Sequence, residues 1–143
     1  MFRISIFGFK IFNMYLLFDL SQKDILHLAL FNEATIIHTR VPGRNRELLA
    51  VLDDFLKNQK ATKQEIKGIM VVVGTGGFTN TRIACVVANT WAYAQKIPLL
   101  AIMADQVENI QQLIPLLLSQ PVGQYISATY SGVPNITIPK KTS

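Results

Sequence analysis

The hydrophobic period of this chain changes at Pro42-Gly43, and that change limits what it can fold into. Before it, apolar residues recur every second position. Tyr15 to Ser21 reads as a strand, closed by the polar turn Gln22-Lys23-Asp24. Ile25 to Phe31 sets Ile25, His27, Ala29 and Phe31 on one face against Leu26, Leu28 and Leu30 on the other, as a strand does. Asn32-Glu33 turns the chain into a third strand, Thr35 to Val41. Turns this short make the three strands antiparallel neighbours. Beyond the break, Leu48, Leu49, Val51, Leu52, Phe55 and Leu56 fall at helical spacing, while Glu47, Asp53, Asp54 and Lys57 fall elsewhere. That spacing predicts an amphipathic helix over 46–57, with Asn45 as its N-cap.

The second half alternates strand and helix. Thr62 to Glu65 has the form of a capping box, with room for only a short turn before Gly68. Ile69 to Val73 is a continuous run of β-branched residues and Met, expected of a strand buried on both faces. A glycine loop, Gly74 to Gly77, leads into a helix over Thr79 to Gln95 that carries no charge after Arg82. A helix so apolar packs on more than one side. Ile97 to Met103 is another buried strand. Asp105 opens a further helix through Ile110, Leu113, Ile114, Leu117 and Leu118, which Pro115 should kink or end at Ile114. The order is three antiparallel strands, then helix, strand, helix, strand, helix. Parallel crossovers of the usual right hand follow from Ile69 onward.

At 143 residues the chain holds one domain with a core, and half of it is apolar. A net charge of +5 permits contact with RNA or an acidic protein without demanding it. Cys85 is the only cysteine, so no disulfide forms within the chain. A reducing, cytoplasmic setting and no membrane partner are expected, since no uncharged stretch reaches spanning length. The N-terminus imitates a signal peptide, but its apolar part stops at Asp19 with no small-residue cleavage site. Met14 reads as the natural start, with residues 1–13 an extension and 120–143 a short C-terminal segment.

Glycines between a buried strand and a helix start let a backbone or an anion approach closely. The loop is not a P-loop, because no Gly-Lys-Ser/Thr follows, and it lacks the third glycine and the later acid of a dinucleotide fingerprint. Gly74-Thr75-Gly76-Gly77-Phe78-Thr79-Asn80-Thr81-Arg82-Ile83-Ala84 instead resembles the signature of the TsaB (YeaZ) family, Gly-Pro-Gly-Ser-Phe-Thr-Gly-Leu-Arg-Ile-Gly. Gly74, Gly76, Phe78, Thr79, Arg82 and Ile83 match; Thr75, Gly77, Asn80, Thr81 and Ala84 depart. Leu17-Phe18-Asp19-Leu20-Ser21 is similar to the family's opening strand, and 46–56 to its first helix, without the usual His-Ser pair. Ile97 to Ile102 is similar to the strand after the second helix. The likeness covers roughly Met14 to Leu118.

That resemblance implies an actin-like (ribonuclease H-like) α/β lobe over 14–119 with a mixed five-stranded sheet. It implies one half of a fold that normally has two, with nucleotide lying between halves in catalytic relatives. It also implies a non-catalytic scaffold for tRNA threonylcarbamoyladenosine synthesis. The partner would be a TsaD-like protein, joined by a TsaE-like ATPase, with tRNA contacted only indirectly. Family pairing uses the first two helices, so Leu48, Leu52, Phe55, Val87 and Trp91 are expected to contribute to that interface or border it. Ordinary core packing is the other reading of each. A homodimer through the same helices is a further possibility.

No cofactor, metal ligand or catalytic residue is expected. Arg82, in a first helical turn, needs a carboxylate, and Asp19 is the candidate. Asp19 also stands where active actin-like ATPases carry an acid, but no companion acids accompany it. His27 and His38 read as structural or solvated, Cys85 as packing, and Arg40, Arg44 and Arg46 as a solvated loop. The competing function is a small nucleotide-binding or hydrolytic α/β domain using the Gly74–Gly77 loop.

Overall fold

The computed structural model describes residues 13–73 and 78–126. Along them run β1 (Met14–Asp19), β2 (Ile25–Phe31), β3 (Ile36–Pro42), α1 (Leu48–Asn58), β4 (Ile66–Val72), α2 (Phe78–Gln95), β5 (Leu99–Ile102) and α3 (Ile114–Leu118). Short 3-10 turns at Asn45–Glu47 and Lys63–Glu65 lead into α1 and β4, and a longer 3-10 run, Ala104–Leu113, leads into α3. The strands form one sheet in the order β3-β2-β1-β4-β5. The first three pair antiparallel, as their short turns require, whereas β1–β4 and β4–β5 are parallel.

Alternation along each strand divides the apolar residues between two layers. Leu16, Phe18, Leu28, Leu30, Ile69 and Val71 face α1 and α2 and pack with Leu48, Leu52, Phe55, Ala84 and Ala88. Tyr15, Leu17, Phe31, Met70 and Val72 face the other way and are covered by Ile110, Ile114 and Leu117. The central strands β1 and β4 are therefore apolar on both faces, which is why Ile69 to Val73 reads as an unbroken run.

Strand β4 starts earlier than the hydrophobic run, at Ile66, because a bulge lies inside it. Met14 pairs with Ile66 but Tyr15 pairs with Gly68, leaving exposed Lys67 outside the register. Gly68 lies under α3. A Cβ there would stand 2.7 Å from Leu117 Cδ2 and 3.3 Å from Tyr15 Cδ1.

The last helix differs from expectation. Pro115 does not end it but sits in its first turn, where a missing N–H costs nothing. The residues before it form the 3-10 run, which loses helical geometry at Asn109 (φ −118°, ψ 25°). Its start lies at Met103 rather than Asp105: the Met103 N–H donates to Gln106 Oε1 at 2.8 Å. No helix among the described residues is long and apolar enough to cross a membrane.

Candidate functional site

Asp19 ends β1 at the end of the sheet toward which the parallel strands run. Both of its carboxylate oxygens are engaged. Oδ1 accepts from the Ser21 N–H at 3.1 Å and from Ser21 Oγ at 2.6 Å. Oδ2 lies 3.1 Å from His27 Nδ1. The antiparallel register sets Asp19 directly opposite His27, so the pair is a consequence of the β1–β2 turn length. Beyond it, His27 Nε2 lies 2.9 Å from His38 Nδ1 on β3. The rings of the two histidines stand 5.1 Å apart.

The donor order follows from the carboxylate, which only accepts. His27 Nδ1–H donates to Asp19. In the neutral ring His27 Nε2 then accepts, so His38 Nδ1–H donates to it, leaving the His38 Nε2 lone pair free of this chain of bonds. His27 is 4% exposed, whereas His38 is exposed. Burial alone would raise the Asp19 pKa, but the hydrogen bonds from His27 and Ser21 and the charge of His27 outweigh it, and the carboxyl is held below its ordinary value. His38 is also lowered, by burial first and then by the neighbouring charges of His27 and Arg40.

Asp19 thus has His27 and Ser21 as its described partners, and Arg82 is exposed in the first turns of α2. The histidines, read from sequence as structural or solvated, are joined in one array. The available signal was the register: once short turns fix the antiparallel hairpins, Asp19 and His27 must meet. Among the described residues no group of three or more His, Cys, Asp or Glu is arranged to hold a metal ion. Cys85 is buried, and burial pushes its thiol up to about 11, which suits packing and not nucleophilic work.

The helix layer is the second element of interest. Leu48, Leu52, Phe55 and Trp91 are buried in the chain's own core, and Val87 packs partly buried against it. The helical period that makes these residues a stripe also turns them toward the sheet, so they are not themselves an open surface. The outward sides of the same helices carry Leu49 (63% exposed), Val86 (53%) and Tyr93 (80%). Trp91 keeps its Nε1–H without a hydrogen-bond partner among the described residues, with Lys63 Nζ 5.9 Å from its ring centre. The stretch 120–126 returns to α2: the Asn89 side chain donates to the Ile126 carbonyl at 2.8 Å and accepts the Ile126 N–H at 3.0 Å. Ile126 is buried there. Phe78 and Thr79 begin α2, while Gly74 and Gly76 lie outside the described residues, as do the side chains of Phe78 and Thr79.

No protein-family model and no curated protein matches the chain. Solved structures do, and two of them are YeaZ-like. YeaZ from Pseudomonas aeruginosa aligns with a TM-score of 0.58 and 26% sequence identity, over 63% of this chain and 44% of that one. A second structure, described as an uncharacterized protein with similarity to peptidase YEAZ from Pseudomonas aeruginosa, aligns with a TM-score of 0.60 and 23% identity. It covers 72% of this chain and 50% of its own. The chain therefore spans about half the length of the structures it matches. A mixed five-stranded sheet with helices on both faces, matched by these two structures, gives this chain a YeaZ-like, TsaB-like fold of the single actin-like lobe type.

Proposed function

We propose that this chain is a non-catalytic scaffold resembling TsaB, which binds a TsaD-like partner for threonylcarbamoylation of tRNA adenosine in the cytoplasm. The observation that carries the reading is the YeaZ-like fold, found at 26% identity in the YeaZ structure. The helix layer supports it. α1 and α2 lie side by side on one sheet face, and their outward sides expose Leu49, Val86 and Tyr93. Large exposed apolar side chains of this kind suit a protein partner. In this reading the docking surface is that outward side. Leu48, Leu52, Phe55, Val87 and Trp91 border it from beneath and hold the helices in place. A TsaE-like ATPase joins through the assembly, tRNA is met through the partner, and the same helices allow a homodimer when the partner is missing. The engagement of Asp19 by His27 and Ser21 supports a role without phosphate chemistry at that residue.

The test is binding of a purified TsaD-like protein to the wild-type chain and to the double variant Val86→Asp/Tyr93→Asp. Both residues are exposed, so the melting temperature should hold. Affinity should fall at least about thirtyfold, the loss expected of a hot-spot aromatic and its neighbour. An unchanged dissociation constant, with the variant folded, removes the docking face from the proposal.

A further inference from the structure

We propose that Asp19, His27 and His38 form a proton-operated latch on the edge strand β3, which accepts one proton while closed and is opened by a second. The latch stands apart from the helix layer and does not rest on the proposed function.

The argument begins with counting protons. With both rings neutral, His27 Nδ1–H points to Asp19 and His38 Nδ1–H points to His27 Nε2, across 3.1 Å and 2.9 Å. A first added proton makes His27 a cation beside the Asp19 carboxylate. His27 Nε2–H then donates, and His38 answers by carrying its own proton on Nε2 and accepting at Nδ1. Every hydrogen bond survives, with its direction reversed between the rings. A second added proton leaves His38 with no acceptor. Two N–H groups then face each other across 2.9 Å, and two like charges meet at a site only partly open to water.

Among the described residues, the charges bearing on the pair come from β1 and β3. Asp19 faces His27 from β1, and Arg40 lies on β3 itself, opposite His27 in the register. The Asp19 carboxylate lies against His27 through Oδ2. Arg40 opposes the second proton, as does the first cation. The array can thus carry one added proton with every bond kept, and takes a second at a cost that falls on the β2–β3 contact.

Strand β3 is a suitable element for such a latch to act upon, because among the described residues it is the sheet edge and pairs only with β2. Its ladder phase is set by two flanking bonds, Gly43 N–H to the Asp24 carbonyl and Asn32 N–H to the Thr35 carbonyl. Alternation then places the hydrogen-bonded pairs at Leu26–Val41, Leu28–Thr39 and Leu30–Ile37. The amides of Ile36, His38 and Arg40 point off the edge. The Thr39 and Val41 amides are therefore the reporters of latch opening.

The experiment is residue-resolved amide exchange with NMR titration of both histidine rings, on the full chain between about pH 7.5 and pH 4.5, at values that bracket histidine titration. In the wild type the rings should titrate in two coupled steps. Corrected for intrinsic exchange, Thr39 and Val41 should speed up as the second step is crossed, by about tenfold per unit of separation between folded and unfolded His38. His38→Gln keeps a donor toward His27 and removes the second proton site, so the acceleration should vanish. Arg40→Gln should move the second step to higher pH. Independent single-step titration of the two rings would overturn the latch. So would an acceleration that His38→Gln leaves in place.

Discussion

Asp19 is the residue whose surroundings say most about what the chain can do chemically. A carboxylate with one oxygen on Ser21 and the other on His27 has its acceptor capacity largely filled by its own protein. Replacing it with Asn removes the charge beside His27 and weakens the charge-assisted bond. Asp19→Asn should cost about 1.5–3 kcal/mol near neutral pH, measured by urea unfolding. The pH dependence has a definite sign. The Asp19 pKa is lowered in the fold, so its contribution is complete above the unfolded carboxylate value and is lost as pH falls through the folded value. The gap between wild type and variant should therefore close in strong acid. His38 is lowered too, but as a base, so the unfolded chain takes its proton first. Stability drawn from neutral His38 is complete above the ordinary histidine range. It falls on acidification through that range to the folded value and changes no further below it. The two groups lose their contributions in separate windows, histidine first.

At the level of elements, the sheet was legible because each strand's pattern matches its surroundings. Ile25 to Phe31 alternates between two apolar faces and forms β2 with the expected ends. The run at 69–73 is apolar throughout because helices cover both sides of β4. Two features escaped a reading by period. Lys67 hides the true start of β4, since a bulge shifts the register by one residue and local pattern cannot show it. The stretch 104–113 carries helical spacing yet winds as 3-10, because Asn109 leaves helical geometry and Pro115 needs a new first turn. The histidine array was missed for a related reason: His27 and His38 are eleven residues apart and meet through the register of the β2–β3 hairpin, and Asp19 joins them through that of β1–β2. Gly68 offers the test of the bulge. Gly68→Ala sets a methyl 2.7 Å from Leu117 Cδ2. Leu117 is fully buried and has nowhere to retreat. We expect a loss of about 1–3 kcal/mol by thermal or urea unfolding, with α3 amides exchanging faster than those of α1. An Ala variant as stable as wild type would show that α3 is loosely seated.

For the molecule as a whole, the question is where its remaining apolar surface lies. Half of the residues are apolar, and a single sheet with one helix layer on each face leaves some of them outside. On the α1/α2 layer these are Leu49, Val86 and Tyr93; on α3 they are Leu116 and Leu118, while Val122 and Tyr125 lie on the stretch that returns to α2. Both sets could drive association, and they make different predictions. If the α1/α2 layer is the adhesive one, sedimentation of the purified chain should show self-association that rises with concentration. Val86→Asp/Tyr93→Asp should abolish it, and Leu116→Asp/Leu118→Asp should leave it intact. A net charge of +5 opposes bringing two copies together, so association should also strengthen as salt screens that repulsion. Contact driven by ion pairs would weaken instead. If the α3-side variant is the one that disperses the chain, the sticky face is on the opposite layer, and the helix pair loses its claim to be the docking surface.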